Sequence, residues 1–265
     1  MIDAHTHLNS PLLYPRWKDH VLVFQNNAWK AIINVWADAE YNKNWIQISR
    51  DYIWDIYMKC TVWFHPYEVV IWNITEKNIK DEINNLRNLY LENKEHIVAI
   101  WEAGIDIHYD WNINLELQKK LFQMQCELAK ELKLPIVIHS RNDFDSTMDV
   151  LKEYKKLKIY FHCRWYGPKE IKKLKDFKQK NLWIWFCGNI SYPKAQNIRD
   201  SLLACGIENI LLETDAPYLS PQEFRWETNY PVNVKYIYDF TAKELNIDKP
   251  ILAKNIELNF KNLYK

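Results

Sequence analysis

Glycine is scarce in this chain of 265 residues, which contains 4 glycines and 13 tryptophans. A globular chain of this length would carry roughly 19 glycines at average usage. Neither a G-x-G-x-x-G sequence nor a P-loop is present, so the glycine-rich turns that cradle phosphates in nucleotide-binding folds are excluded. The excess of tryptophan over glycine requires an explanation of its own.

Cysteine pairs, charge imbalance and long apolar runs are also absent. The 5 cysteines are scattered without a C-x-x-C pair, which argues against a disulfide framework or a structural zinc site. The net charge of +1 creates no overall field for DNA or an anionic membrane, so any nucleic-acid binding must be local. No signal peptide fits before His5, and no apolar run approaches about 18 residues. We expect a cytoplasmic protein without a membrane segment or an obligate protein partner.

Short apolar runs rich in isoleucine and valine recur along the chain, each followed by a polar segment with helical spacing. This alternation is typical of repeated β-α units around a parallel sheet. The predicted strands lie near Ile2–His5, Ala31–Val35, Cys60–His65, Ile97–Glu102, Pro135–His139, Ile159–His162, Leu182–Cys187 and Asn209–Thr214. Eight strands without a glycine-rich first turn favour a closed (β/α)8 barrel of the TIM type over an open sheet. No linker interrupts the chain, which predicts a single domain over residues 1–265.

Imidazole and carboxylate side chains fall at the carboxyl ends of these strands, the face on which barrels build active sites. His5 and His7 are two apart and therefore point the same way in an extended segment. His139 or His162 alone would be interpreted as a hydrogen-bonded core histidine, but a buried carboxylate without a partner is costly. Such carboxylates and imidazoles together suit Zn, Mn, Fe or Ni ions. The candidate ligands are His5, His7, Glu102, His139, His162 and Asp215.

Seven motifs in consecutive order resemble those of the TatD family of metal-dependent deoxyribonucleases, and together they span almost the whole chain. They are Asp3–Leu8, Phe64–Pro66, Glu102–Asp106, Ile138–Arg141, Phe161–Cys163, Glu213–Leu219 and the Arg225-x-x-x-Asn229 pair. The resemblance implies a metallo-dependent hydrolase barrel with two divalent ions (Zn, Mg or Mn), in which His5, His7 and Asp215 hold one ion. It further implies that His139 and His162 hold the other and that Glu102 bridges them.

The same resemblance implies hydrolysis of DNA phosphodiesters at single-stranded ends, in the manner of a 3′-exonuclease. We expect Glu102 and Asp215 to be catalytic, with Asp215 accepting a proton from the attacking water. Glu213 is expected to orient His5 or His7. Expected substrate contacts are His65, Arg141, Arg225 and Asn229. For two of them an alternative stays open, because Arg141 could pair with a structural carboxylate and Arg225 could simply be solvated.

Tryptophan stands at several positions where glycine is expected in the family motifs: Trp29, Trp36, Trp63, Trp101, Trp185 and Trp226. One explanation is that the barrel has repacked around genuine tryptophans. If so, Trp101 and Trp226 could block the pocket and leave a metal-binding pseudoenzyme. The other explanation is that UGA codons, which some bacterial lineages read as glycine, have been translated as tryptophan. UGG codons at these sites would exclude the second explanation.

The fold also hosts other chemistries, so a deacylase or lactonase of the amidohydrolase type is the main alternative function. Many amidohydrolases place a modified lysine at the end of the fourth strand, where this chain has Glu102. A nucleic-acid-binding protein without catalysis is a further alternative, although the chain has no basic stripe interleaved with aromatic residues.

Overall fold

Eight parallel strands form one sheet in the computed structural model, in sequence order from first to last. The strands are β1 (Ile2–Thr6), β2 (Ala31–Asn34), β3 (Tyr57–Trp63), β4 (Ile97–Asp106), β5 (Ile136–Arg141), β6 (Ile159–His162), β7 (Leu182–Phe186) and β8 (Ile210–Leu212). The structure describes residues 1–27, 29–35, 42–51, 56–63, 65–66, 69, 74–108, 114–162, 166–177 and 181–265, with only the backbone at 42–44, 63 and 162.

Helices alternate with the strands and cover the outside of the sheet. They are α1 (Trp17–Asn26), α2 (Asn42–Asp51), α3 (Ile79–Glu92), α4 (Leu115–Leu132), α5 (Phe144–Leu151), α6 (Pro168–Asp176), α7 (Gln196–Cys205), α8 (Val234–Glu244) and α9 (Lys249–Tyr264). Side-chain caps fix where two of them begin, since Asn114 accepts a hydrogen bond from Leu117 N and Asp143 accepts one from Ser146 N. Among the described residues, no helix combines the length and the apolar character needed to cross a membrane.

Burial on both faces explains why the strands are continuous apolar runs. Every residue of β1, β2, β7 and β8 is buried, as expected when helices cover one face and the barrel interior the other. The predicted (β/α)8 barrel is confirmed. Among the boundaries that differ from the prediction is the end of β4, which continues to Asp106 instead of ending at Glu102. Ala103 and Ile105 are buried, and they extend the apolar face of the strand past the first carboxylate.

The last strand returns to the first and closes the barrel at its carboxyl end. Asp215 N donates to His5 O at 3.1 Å, and His7 N donates to Ala216 O at 2.7 Å. Deeper in the same seam, the Asp3 carboxylate accepts hydrogen bonds from Thr214 N at 2.9 Å and from Thr214 Oγ1 at 2.6 Å. The segment that follows β8 is therefore fixed directly beside β1.

Candidate metal centre

The seam between β1 and β8 brings three predicted ligands together. His5 Nε2 lies 2.9 Å from His7 Nε2 and 3.1 Å from Asp215 Oδ1, and His7 Nε2 lies 3.2 Å from the same oxygen. Nitrogen and oxygen ligands about 2.1 Å from a tetrahedral ion would be separated by roughly 3.4 Å. The spacing of these three atoms therefore fits coordination of a single cation.

A second group of ligand atoms lies on β4, β5 and the segment after β3. His139 Nδ1 lies 2.8 Å from Glu102 Oε1, and His65 Nε2 lies 3.7 Å from Glu102 Oε2. The ligand atoms of these three residues lie within 4.8 Å of one another. Glu102 is 14 % exposed and presents one oxygen to each histidine, so it is the carboxylate around which this group is built.

Both groups face one cavity of about 470 Å³ at the carboxyl end of the barrel. Tyr218 and Leu219, from the segment after β8, complete its lining. The negative charge of Glu102 favours the protonated form of His5 as well as that of His139. The pocket thus contains two sets of imidazole and carboxylate groups, which are ligands that divalent transition ions prefer.

The protonation states of His5 and His65 also fit bound cations. Burial lowers the pKa of His5, and it lowers the pKa of His65 to about 4 with the help of the neighbouring His139. These rings are therefore neutral near pH 7 and carry the lone pair that a metal ligand needs. Burial would also lower the pKa of His139, but Glu102 and Asp106 outweigh it and raise the value to about 9. A proton on His139 thus supplies the positive charge that these carboxylates require.

Comparisons with known proteins decide the family. Residues 2–265 match the family model described as TatD related DNase. The chain belongs to the TatD family. It is 30 % identical over 265 residues to an uncharacterized metal-dependent hydrolase of Mycoplasma genitalium, covering 99 % of this chain and 98 % of that protein. It is 26 % identical over 272 residues to the uncharacterized metal-dependent hydrolase YabD of Bacillus subtilis, covering 100 % of this chain and 99 % of YabD.

Solved structures of TatD proteins share the fold. The crystal structure of the Escherichia coli TatD homologue YjjV matches with a TM-score of 0.85 at 21 % identity, covering 100 % of this chain and 97 % of that one. A TatD family hydrolase from Entamoeba histolytica matches with a TM-score of 0.83 at 20 % identity, again covering 100 % and 97 %. The predicted family resemblance is therefore confirmed along the whole chain.

One predicted ligand of the TatD site is described only by its backbone. His162 ends β6 and is paired in register with His139 on β5, which places its Cα at the rim of the same pocket. Its side chain lies outside the described part of the structure, so its role as a ligand stays a prediction. His65 was predicted as a substrate contact; its ring lies beside Glu102 and His139 at the pocket, and its role as a substrate contact stays a prediction.

Two buried carboxylates that support the ligands were not assigned from the sequence. Asp106 Oδ2 lies 3.0 Å from His139 Nε2, on the side of the ring away from Glu102. Asp3 holds Thr214, and its Oδ1 also accepts a hydrogen bond from His5 N at 3.3 Å. Both could have been found from spacing, because residues two or four apart on a strand share a face. Asp3 shares a face with His5, and Asp106 shares one with Glu102.

Glu213 was predicted to orient a histidine, and it lies on the inner side of His5. Its Oε1 is 3.5 Å from His5 Nδ1, while its Oε2 accepts a hydrogen bond from the Tyr160 hydroxyl at 2.5 Å. Both carboxylate and hydroxyl are buried. The pair therefore places a fixed negative charge behind the ligand ring, as carboxylates behind metal-bound histidines commonly do.

The remaining predicted substrate contacts, Arg141, Arg225 and Asn229, differ from one another in burial and in the groups they contact. Arg141 is half-buried at the end of β5, where its charge helps to lower the pKa of His65. Arg225 is exposed and stacks on the Tyr192 ring at 3.7 Å from its centre. Asn229 is fully buried, and its Nδ2 donates to Thr214 O at 2.8 Å and to Tyr218 O at 2.7 Å. Asn229 thus fixes the segment that carries Asp215.

The tryptophans at glycine-like positions do not crowd the metal pocket in the described part of the structure. Trp101 is buried beneath the first ligand group, edge-on to His5 with ring centres 4.3 Å apart, and Trp185 is stacked 6.5 Å from the same ring. Trp226 is 91 % exposed, and neither it nor Trp101 lines the pocket. Trp29 packs edge-on against Phe24 in the core. Trp36 and the side chain of Trp63 lie outside the described residues.

Proposed function

We propose that the chain is a metal-dependent hydrolase that cleaves phosphodiester bonds of DNA, and that it removes nucleotides from single-stranded 3′ ends. The observation that carries the proposal is that two groups of imidazole and carboxylate ligand atoms line one open pocket. Membership of a family described as TatD related DNase supports DNA as the substrate. The names of the curated relatives support metal-dependent hydrolysis as the reaction class.

Divalent ions held by these residues would supply Lewis acidity to water and to the phosphate oxygens. We assign the first ion to His5, His7 and Asp215, the second to His139 and His162, and the bridging position to Glu102. Neutral imidazoles and ionised carboxylates are the forms required for this ligand set. Ions held by these residues would neutralise negative charge on the oxygens of a phosphodiester.

The protein's own groups move the proton and orient the ester. Asp215 is the carboxylate nearest both histidines of the first group, and it would accept the proton that the attacking water loses. His65 is neutral near pH 7 and half-buried at the pocket, so it would donate an N–H to a phosphate oxygen. Arg141 stands behind it with a permanent positive charge, which would balance the charge that develops on phosphate.

Metal-dependent digestion of a single-stranded oligonucleotide labelled at its 5′ end tests this proposal. Digestion from the 3′ end would give a ladder of labelled products that shortens with time, whereas internal cleavage would give intermediate lengths at once. We expect Glu102→Ala and His139→Ala to lower the rate on the order of 100-fold or more. Lys133→Ala, at the opposite end of the barrel, is the matched control and should retain the rate. Equal rates in all four proteins would contradict the site.

A further inference from the structure

A second concave surface opens beside the metal pocket, formed by the segments that follow β7 and β8. This β7–β8 groove has a volume of about 830 Å³ and is lined by, among others, Tyr192, Lys194, Ile198, Leu219, Arg225 and Trp226. Leu219 also lines the metal pocket, so the two concavities share a wall. A chain whose phosphate lies at the ligand groups would extend over Leu219 into the groove.

Charge in the groove has one sign. Lys194 and Arg225 are both exposed, and none of the described residues that line the groove is acidic. Within the described ranges no carboxylate forms an ion pair with either side chain. In a protein with a net charge of +1, this is a local concentration of positive charge beside the pocket that we assign to phosphodiesters. It is complementary to a phosphate and not to a neutral or cationic ligand.

Tyr192 supplies a rigid aromatic surface in the groove. Its hydroxyl donates to Ser220 O at 2.9 Å, and its carbonyl accepts a hydrogen bond from Arg199 Nη1 at 2.8 Å. The guanidinium of Arg225 lies 3.7 Å from its ring centre and 5.3 Å from that of Trp226. A fixed ring combined with arginine forms the kind of platform on which unpaired bases stack.

We propose that the β7–β8 groove binds the nucleoside that flanks the scissile phosphate of a single-stranded nucleic acid. The base stacks on the Tyr192–Arg225 platform, and Lys194 contacts the next phosphate. A paired base could not reach the platform, because it would remain stacked within its duplex. This inference rests on the proposed phosphodiesterase function and extends it, since the groove discriminates an oligonucleotide from a small diester that fills only the metal pocket.

The first experiment compares two substrates of the manganese-loaded protein: an oligothymidylate of ten residues and bis(4-nitrophenyl) phosphate. The measured quantity is the ratio of kcat/KM on the oligonucleotide to that on the small diester. We expect Tyr192→Ala to lower this ratio on the order of 10- to 100-fold. Tyr192→Phe keeps the ring but removes the hydrogen bond to Ser220, so it should stay within about twofold of the parent protein. Lys133→Ala, remote from the groove, should leave the ratio unchanged.

The second experiment measures binding without catalysis, by fluorescence anisotropy of the same labelled oligonucleotide at several salt concentrations. Lys194→Ala should weaken binding and reduce its salt dependence by about one released counterion, and Tyr192→Ala should weaken it without changing that dependence. A protein that binds the oligonucleotide in this manner but hydrolyses neither substrate would contradict the proposed function and not the groove. The groove would be contradicted if Tyr192→Ala and Lys194→Ala bound the oligonucleotide as tightly as the parent protein and Tyr192→Ala also kept its kcat/KM ratio. Equal losses of this ratio in Tyr192→Phe and Tyr192→Ala would contradict it as well.

Discussion

At the scale of single residues, the contact between Asp106 and His139 constrains the metal centre most directly. His139 presents Nδ1 to Glu102 at 2.8 Å and Nε2 to Asp106 at 3.0 Å. An imidazole held by a carboxylate at one nitrogen offers its other nitrogen to a metal. Gln118 fixes Asp106 in turn, because it donates to Asp106 O and accepts from Asp106 N, both at 3.0 Å. We infer that Asp106 makes Nδ1 the ligand atom of His139.

Removing the Asp106 carboxylate should therefore weaken metal binding without removing a ligand. We expect Asp106→Ala to lower affinity for Mn²⁺ or Zn²⁺ by about 10- to 100-fold, the usual effect of losing a group that orients a ligand. Asp106→Asn keeps an acceptor oxygen for Nε2 and should lose much less. Isothermal titration calorimetry measures both affinities. Parental affinity in Asp106→Ala would show that the orientation of His139 depends on something else.

Metal binding should also release a proton from His139. Since Glu102 and Asp106 raise its pKa to about 9, the metal-free ring is charged at pH 7 and must lose that proton to become a ligand. Apparent affinity should rise about tenfold per pH unit up to about pH 9 and level off above it. Calorimetry in buffers of different ionisation enthalpy counts the protons. No release at pH 7, or affinity that falls as pH rises, would contradict this assignment.

Trp101 offers a direct test of whether the printed tryptophans are genuine. Its indole is 2 % exposed and packs against His5, so Trp101→Gly should leave a cavity and lower the free energy of unfolding by about 3–5 kcal/mol. Trp226→Gly is the matched control: Trp226 is 91 % exposed, and the change should stay within about 0.5 kcal/mol. Urea denaturation measures both. A protein made more stable by Trp101→Gly would show that glycine fits this position better than tryptophan, as the UGA explanation requires.

Which residues gather at the pocket could largely be predicted from the sequence, but how they contact one another could not. Strand-end placement selected His5, His7, Glu102, His139 and Asp215, because a parallel barrel gathers those ends on one face. The role of Asp106 depends on which nitrogen of His139 it meets, and that is a matter of rotamer and tautomer. The burial of Asn229 depends on the path of the segment after β8. Neither property is contained in residue spacing.

At the scale of elements, the β4–β5 pair depends on Gly104. A Cβ at this position would lie 1.9 Å from His139 O, and the backbone has φ +148°. Gly104→Ala should therefore push β5 away and displace His139, which would lower both metal affinity and the free energy of unfolding, the latter by about 2–5 kcal/mol. Gly167→Ala is the matched control, since its Cβ would meet only Glu170 Oε2 at 3.8 Å. Equal unfolding free energies for the two variants would contradict this role.

Strand boundaries show where apolar patterning stops being informative. The predicted β6 coincides with the structure because its apolar run ends at a histidine and so does the strand. The prediction placed the start of β3 at Cys60, because Lys59 interrupts the apolar run. In the structure the strand begins earlier, at Tyr57. The structure accommodates that charge at the surface, where Lys59 Nζ donates to Glu95 O at 2.5 Å. A lysine that keeps its ammonium group outside the core does not end a strand.

At the scale of the whole molecule, the predicted metal ligands connect the first strand to the last. An ion held by His5, His7 and Asp215 would join the two sides of the seam that closes the barrel, and it would bind only the folded chain. Saturation at about 100 times Kd adds about 2.7 kcal/mol to the free energy of unfolding. For a protein of this size, chelation should lower Tm by about 5–10 °C. Differential scanning calorimetry measures this shift, which should shrink in His5→Ala; an unchanged Tm would contradict a metal at the seam.

The closure of the barrel between β1 and the segment after β8 also determines when this chemistry becomes available. Synthesis proceeds from the amino terminus, so His5 and His7 emerge from the ribosome roughly 200 residues before Asp215. Asp3 and His5 likewise gain their hydrogen-bond partners across the seam, Thr214 and Asp215, only after that later segment has been made. A nascent chain therefore lacks the assembled ligand group of His5, His7 and Asp215 until the segment after β8 has been made. Metal binding at the seam would therefore begin only after β8 and the segment that follows it have been synthesised.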